Sequence, residues 1–195
     1  MLNIAIWLTL SRFLLLPLTI LPLALGWSNG GFIAACITQL AGLTDFADGI
    51  VARRTGHTTP LGTNLDFFSD KLFIGGMLVA LASLRLISAW IPAVVLAREV
   101  AVSVARFHHF HWRPPSPDMW GKAKTMVSYG AIMWVALRSD LTTNGIVAWV
   151  NSRIILNSLL SLAPWVMYAA VALTIISGLN YIWQFTIKHP GVTKS

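Results

Sequence analysis

The chain has 195 residues, of which 56% are hydrophobic and only 11% charged; soluble domains run near a quarter charged, so an integral membrane protein is expected. The formal charge of +7 would suit nucleic acid, but the cations fall between apolar runs and not on one solvated face. Membrane lipid headgroups and phosphorylated ligands are therefore the expected partners, and nucleic acid is not. Cys36 is the only cysteine, which excludes an intramolecular disulfide and zinc ligation by thiolates. No repeat, low-complexity run or linker divides residues 1–195, so one polytopic domain is expected.

The first 27 residues are apolar but have no basic segment before them and no small-residue cleavage site, so they read as a retained segment. Residues 3 to 8 are expected along the interface, with a first span following to Gly26 that Pro17 and Pro22 would kink. Arg12, early in that span, is read as snorkelling to lipid phosphates. After the turn signal Trp27–Gly31 a second apolar run reaches Asp45, and its helix is expected to leave the bilayer near Arg54. A short polar loop, Thr55 to Pro60, leads into a third span from Leu61 to Ser83; His57 in that loop reads as solvated.

Four of the seven acidic residues fall between positions 45 and 70. Asp45 and Asp48 are three apart and Asp66 and Asp70 four apart, so each pair shares one face of a helix. Gly49, Ala52 and Gly62 are small, and Arg53 is a cation, where a backbone would approach a bulky anion. Carboxylates inside membrane-length apolar segments are costly and mark functional sites. Four of them converging from two helices need a strong counter-charge, and oxygen-only ligation points to two hard divalent cations, Mg²⁺ or Mn²⁺.

The fourth span, Ile87 to Phe107, carries Arg98 and Arg106, eight apart and on one face. Arg98, well inside the helix, is read as an anion binder. Glu99, on a neighbouring face, stands open between an interhelical charge pair and a role in the site. The stretch from His108 to Trp120 is the least apolar; its His108, His109 and His111 suit an interfacial loop better than a metal tract. Lys122 and Lys124 open a fifth span that ends at Leu137, where a bound anion would relieve their opposition to the helix dipole. A short interfacial helix is expected around Ile154 to Leu162, then a sixth span from Pro164 to Phe185. Trp7, Trp27, Trp90, Trp112, Trp134, Trp165 and Trp183 lie near span ends, as interfacial belts require. Six spans place both termini on one side. Arg53, Arg54, Arg106, Arg113, Lys122, Lys124, Lys188 and Lys194 make that side the cationic and hence cytoplasmic one, which is also the side of the aspartates.

Asp45, Asp48, Gly49, Ala52, Arg53, Gly62, Asp66 and Asp70, with the gaps between them, resemble the signature motif of the CDP-alcohol phosphatidyltransferases at every fixed position. The segments DKLFIGGMLVAL, LAREVAVSVAR, GKAKT and LTIISGLNYI are similar, in order and spacing, to the phosphatidylglycerophosphate synthase branch of that family. Phe67 and Phe68 depart from the branch, which commonly has proline after the third aspartate. The resemblance implies an all-α, six-helix membrane fold of a bacterial-type cytoplasmic membrane, usually homodimeric. It implies transfer of a phosphatidyl group from CDP-diacylglycerol to sn-glycerol 3-phosphate, giving phosphatidylglycerophosphate and CMP. Asp45, Asp48, Asp66 and Asp70 match the metal ligands, Asp70 also the proposed general base, and Gly49, Ala52, Arg53 and Gly62 the positions around the CDP moiety. Arg98, Arg106, Lys122 and Lys124 are the candidates for the acceptor phosphate, from placement together with the resemblance. Rival readings are another acceptor (inositol phosphate, serine or phosphatidylglycerol), an intramembrane prenyltransferase, and a transporter.

Overall fold

The computed structural model describes residues 4–55, 60–108, 119–143, 145–153 and 156–188, with side chains described for 11–44, 68–104, 124–143, 145–151 and 156–180. Helices occupy nearly all of it: α1 (Ile4–Ala24), α2 (Gly30–Thr55), α3 (Pro60–Ser83), α4 (Trp90–His108), α5 (Met119–Ser139), a 3-10 turn Asp140–Thr142, α6 (Ile146–Arg153), α7 (Leu156–Leu160) and α8 (Ala163–Lys188). The expected all-α architecture is observed. His57, His109, His111 and Trp112 lie outside the described residues.

Two segments differ from expectation. Residues 4 to 8 continue into α1 as one helix, and do not form a separate interfacial segment. Pro17 and Pro22 are accommodated inside that helix. Where one short helix is expected around Ile154 to Leu162 there are two, α6 and α7, the second of which starts where the Asn151 side chain accepts the Asn157 N–H at 2.6 Å.

Specific pairs fix the helix directions. Arg12 meets Ser69, and Leu16 fills the space beside Gly76, so α1 and α3 run parallel. Lys71 reaches Ser103 while Gly75 faces Leu96, so α3 and α4 run antiparallel. Trp90 stacks on Tyr168 at one end and Arg98 bonds Ser177 further along, so α4 and α8 are parallel. At α2, Gly31 abuts Ala136 and Gly42 abuts Tyr129, which sets α2 antiparallel to α5. The six long helices thus alternate in direction. The most extensive packing joins α5 to α8, α2 to α5, and α1 to both α2 and α3.

The core between them is a stripe on α3, Phe73, Met77 and Leu81, at four-residue spacing, met by Ile132 and Val135 of α5, Ile91 and Val95 of α4, and Met167, Ala170 and Val171 of α8. The outside is apolar too: Leu14 is 75% and Trp165 70% exposed, with Leu21, Val104, Ile176 and Leu179 alongside them. In water such a surface is a liability; against acyl chains it is the solvated face. Among the described residues, Leu156–Asn180 is the one stretch long and apolar enough by itself to cross a membrane, and Ser11–Ala24 and Gly30–Thr44 are shorter apolar segments. Charged residues inside the other long helices lower their apolarity; of those described, Arg12, Asp70, Lys71, Arg98, Glu99 and Lys124 have polar partners on neighbouring helices, while Arg138 is exposed near the end of α5.

The end of the apolar layer where α1 turns into α2 is closed by local devices. At the α1–α2 turn, the Trp27 N–H reaches the Pro22 carbonyl and the Gly26 N–H the Leu23 carbonyl, the paired bonds of a helix stop with Gly26 at φ +64°. The first turn of α2 is capped from a distance: Asp140, 1% exposed, accepts the N–H of Gly31 at 2.9 Å and of Phe32 at 3.3 Å. A carboxylate there satisfies two orphan donors and faces the positive end of the helix.

Candidate active site

Halfway along the bundle, away from the Asp140 cap, the helices meet in a polar layer. From α3 come Ser69, Asp70 and Lys71; from α4, Arg98, Glu99 and Ser103; from α5, Lys124 and Tyr129; from α8, Ser177; and from α1, Arg12. Three consecutive residues of α3 point to three neighbours because successive residues step by 100° around a helix.

Arg12 is only 3% exposed and donates to Ser69 Oγ at 3.2 Å. The snorkelling expected of it does not occur; its guanidinium turns inward because α3 offers a hydroxyl one residue from Asp70.

Glu99 gathers cations from three helices. Lys71 Nζ lies 2.8 Å from Oε2, Arg98 2.8 Å from Oε1, and Lys124 also pairs with Oε1. Lys71 donates further to Ser103 Oγ at 2.9 Å, and Arg98 to Ser177 Oγ at 3.0 Å. The question left open for Glu99 is thereby answered: it is an interhelical charge pair. Its single negative charge does not neutralise three positive ones, so among the described residues this cluster carries an excess of two positive charges. Such a cluster, mostly shielded from solvent, is a place where an anion gains strongly from fixed cations. Of the four cations expected at an anion site, Arg98 and Lys124 come together here. Arg106 and Lys122 lie on α4 and α5 near the same end, with their side chains outside the described set.

Tyr129 connects this layer to the aspartates. Its hydroxyl donates to Asp70 Oδ1 at 2.8 Å, and its ring stacks on Phe73 with centroids 6.0 Å apart. On its other side the ring touches Gly42 of α2, where an added Cβ would stand 2.9 Å from the ring. Gly42 is three residues before Asp45 and so on the same helical face. Gly42 of α2 and Asp70 of α3 therefore both meet Tyr129.

The remaining motif residues fall on the same two helices. Asp48 and Asp45 lie seven and ten residues before the end of α2 at Thr55; Asp66 and Asp70 lie six and ten residues after the start of α3 at Pro60. At 1.5 Å per residue both pairs stand roughly 9–15 Å from the connection, at matching depth on antiparallel helices. Gly49, Ala52 and Arg53 are on α2 and Gly62 on α3, nearer the connection. The side chains of Asp45, Asp48, Arg53 and Asp66 lie outside the described set. A carboxylate offers about four lone-pair sites, so Asp70 has capacity for a cation beside the Tyr129 hydroxyl, and its oxygens suit a hard divalent ion.

Sequence reasoning missed Lys71, Tyr129 and Arg12 as members of this layer. Lys71 had a signal, since it directly follows the last aspartate of the motif. Tyr129 had none, because its partner is 59 residues away.

Comparison with known proteins gives the same direction. The family model described as CDP-alcohol phosphatidyltransferase matches residues 2–176. A Mycobacterium tuberculosis (strain CDC 1551 / Oshkosh) protein named "Probable phosphatidylglycerophosphate synthase" is 33% identical over 186 residues, 92% of this chain and 80% of its own. Proteins named "CDP-diacylglycerol--glycerol-3-phosphate 3-phosphatidyltransferase" are similar as well: that of Yersinia pestis (strain Pestoides F) is 35% identical over 71% of this chain and 79% of its own, and that of Sodalis glossinidius (strain morsitans) 34% over 74% and 82%. With the motif on α2 and α3 and this match along nearly its whole length, the chain belongs to the CDP-alcohol phosphatidyltransferase family of enzymes.

Proposed function

We propose that the chain transfers the phosphatidyl group of CDP-diacylglycerol to sn-glycerol 3-phosphate, forming phosphatidylglycerophosphate and CMP. The observation that carries this reading is the adjacency of Asp70 and Lys71 on α3: one belongs to the acidic motif, the other to a cluster in which, among the described residues, cations outnumber the one carboxylate. An acceptor that is both an alcohol and a phosphate dianion needs such neighbours. The names of the relatives agree.

Asp45, Asp48, Asp66 and Asp70 would hold two divalent cations, Mg²⁺ or Mn²⁺, which supply charge neutralisation for the diphosphate and the departing CMP. Gly49, Ala52, Arg53 and Gly62 would accommodate the cytidine and diphosphate. The acceptor phosphate would sit against Arg98, Arg106, Lys122 and Lys124, with Lys71 added by its position in the cluster. Asp70 would take the proton of the acceptor hydroxyl as its oxygen bonds to the lipid-bearing phosphorus and the phosphorus–oxygen bond to CMP breaks. Residues 1–195 would form one six-span domain, homodimeric as the resemblance implies, with this site facing the cytoplasm.

The test is CMP release by the purified protein in lipid vesicles containing CDP-diacylglycerol. Release is expected with glycerol 3-phosphate and Mg²⁺ or Mn²⁺ and is expected to stop on chelation. Release with inositol phosphate, serine or phosphatidylglycerol in its place would reassign the acceptor, and no release with any alcohol would overturn the enzyme reading. Lys124→Gln is expected to raise KM for glycerol 3-phosphate about tenfold or more, with KM for the liponucleotide little changed.

A further inference from the structure

We infer that Tyr129 is a positioning residue for Asp70, fixing the carboxylate for the transfer reaction through a hydroxyl that the fold holds in place from three sides. The phenol oxygen donates to Asp70 Oδ1 at 2.8 Å. The ring that carries it cannot swing away: it is 3% exposed, stacks on Phe73 one turn further along α3, and lies on Gly42 of α2. A tyrosine buried this far needs a partner for its hydroxyl, and here the partner is the last aspartate of the motif.

The consequence is geometric. A carboxylate free to rotate about its last bond spreads its oxygens over many directions, and only some suit an acceptor hydroxyl or a cation. A hydrogen bond to one oxygen selects one orientation and places the other oxygen, which is what a group serving as base or ligand requires. Gly42 belongs to the same device. An added methyl there would stand 2.9 Å from Cγ of the tyrosine ring, and the displacement would pass through the hydroxyl to Asp70. Lys71 follows Asp70 directly, so the cation cluster and the oriented carboxylate meet at adjacent residues of α3.

This role rests on the proposed reading of Asp70, and the test separates the two. Tyr129→Phe keeps the ring and its packing and removes only the hydroxyl. In CMP release its kcat is expected to fall about tenfold while KM for glycerol 3-phosphate stays within about twofold. The concentration of Mn²⁺ giving half-maximal thermal stabilisation of the substrate-free protein is expected to rise severalfold in the same variant. Its melting temperature without metal is expected to stay near that of the parent. Gly42→Ala, which displaces the ring, is expected to lower kcat in the same manner. An active Asp70→Asn enzyme would overturn the reading of Asp70 and this inference with it. An inactive Asp70→Asn beside Tyr129→Phe with parental kcat and Mn²⁺ response would overturn this inference alone, as would a Tyr129→Phe whose only change is a lower melting temperature.

Discussion

A carboxylate with 1% of its surface exposed persists at position 140 because two backbone N–H groups of α2, from Gly31 and Phe32, have no other acceptor within their helix. Asp140→Ala leaves both donors unpaired, that of Gly31 in a buried position, a loss of roughly 1–3 kcal/mol. A lower melting temperature in detergent is expected, with CMP release per folded molecule unchanged, since the cap is at the opposite end of α2 from the aspartates. Glu99 is the reverse case, one anion among three cations. Glu99→Gln leaves Lys71, Arg98 and Lys124 facing one another without neutralisation, at a cost of about 3 kcal/mol. Adding Lys71→Met to that variant is expected to restore part of the lost thermal stability, because it removes one of the repelling charges; a further loss would show that Lys71 contributes mainly through packing. Asp140 and Tyr129 mark the limit of what the sequence makes legible. The aspartate motif is written in local spacing and can be read directly. The partners of Asp140 and Tyr129 are 109 and 59 residues away, and no periodicity encodes a contact over that separation.

At the scale of elements, the turns do what the helices cannot. The stop of α3 has the same paired bonds as the stop of α1, with the Leu86 N–H on the Leu81 carbonyl and the Arg85 N–H on the Ala82 carbonyl. Its left-handed position is occupied by Arg85, at φ +59°, and not by glycine. For a residue with a Cβ this backbone costs roughly 1–2 kcal/mol. Arg85→Gly is therefore expected to raise the melting temperature slightly, and a fall would show that the arginine side chain contributes more than its backbone strain removes. The third span expected over Leu61 to Ser83 agrees with α3, Pro60–Ser83, to within one residue. The interfacial segment was less legible: α6 and α7 are too short for helical periodicity to declare itself, and Asn151 starts α7 through a side-chain bond. Apolarity along single helices likewise understates the bundle. The inward charges of α3, α4 and α5 depress it, although each has a partner once the helices meet.

For the whole molecule, the alternating directions of the six long helices put the aspartate-bearing end of α2, the start of α3, the end of α4 and the start of α5 on one side. The Asp140 cap, the Trp90–Tyr168 stack and the α3–α4 turn are on the other. Cations crowd the first side, and cations are retained on the cytoplasmic face of a membrane. An acceptor that is a small dianion would then enter from the cytoplasm without crossing the apolar layer, and its charge would be met first by lysines and arginines. The orientation is open to direct measurement, because Cys36 is the only thiol to remove. In a Cys36→Ser background, Ser88→Cys is expected to react with an impermeant maleimide added outside intact cells, since Ser88 is exposed in the α3–α4 turn. Thr58→Cys, in the connection between the two halves of the acidic motif, is expected to react only after the cells are opened. The inverse pattern would place the aspartates on the outer face, where neither a cytoplasmic nucleotide lipid nor a phosphorylated alcohol could reach them, and the proposed transferase reaction would fail on topology alone.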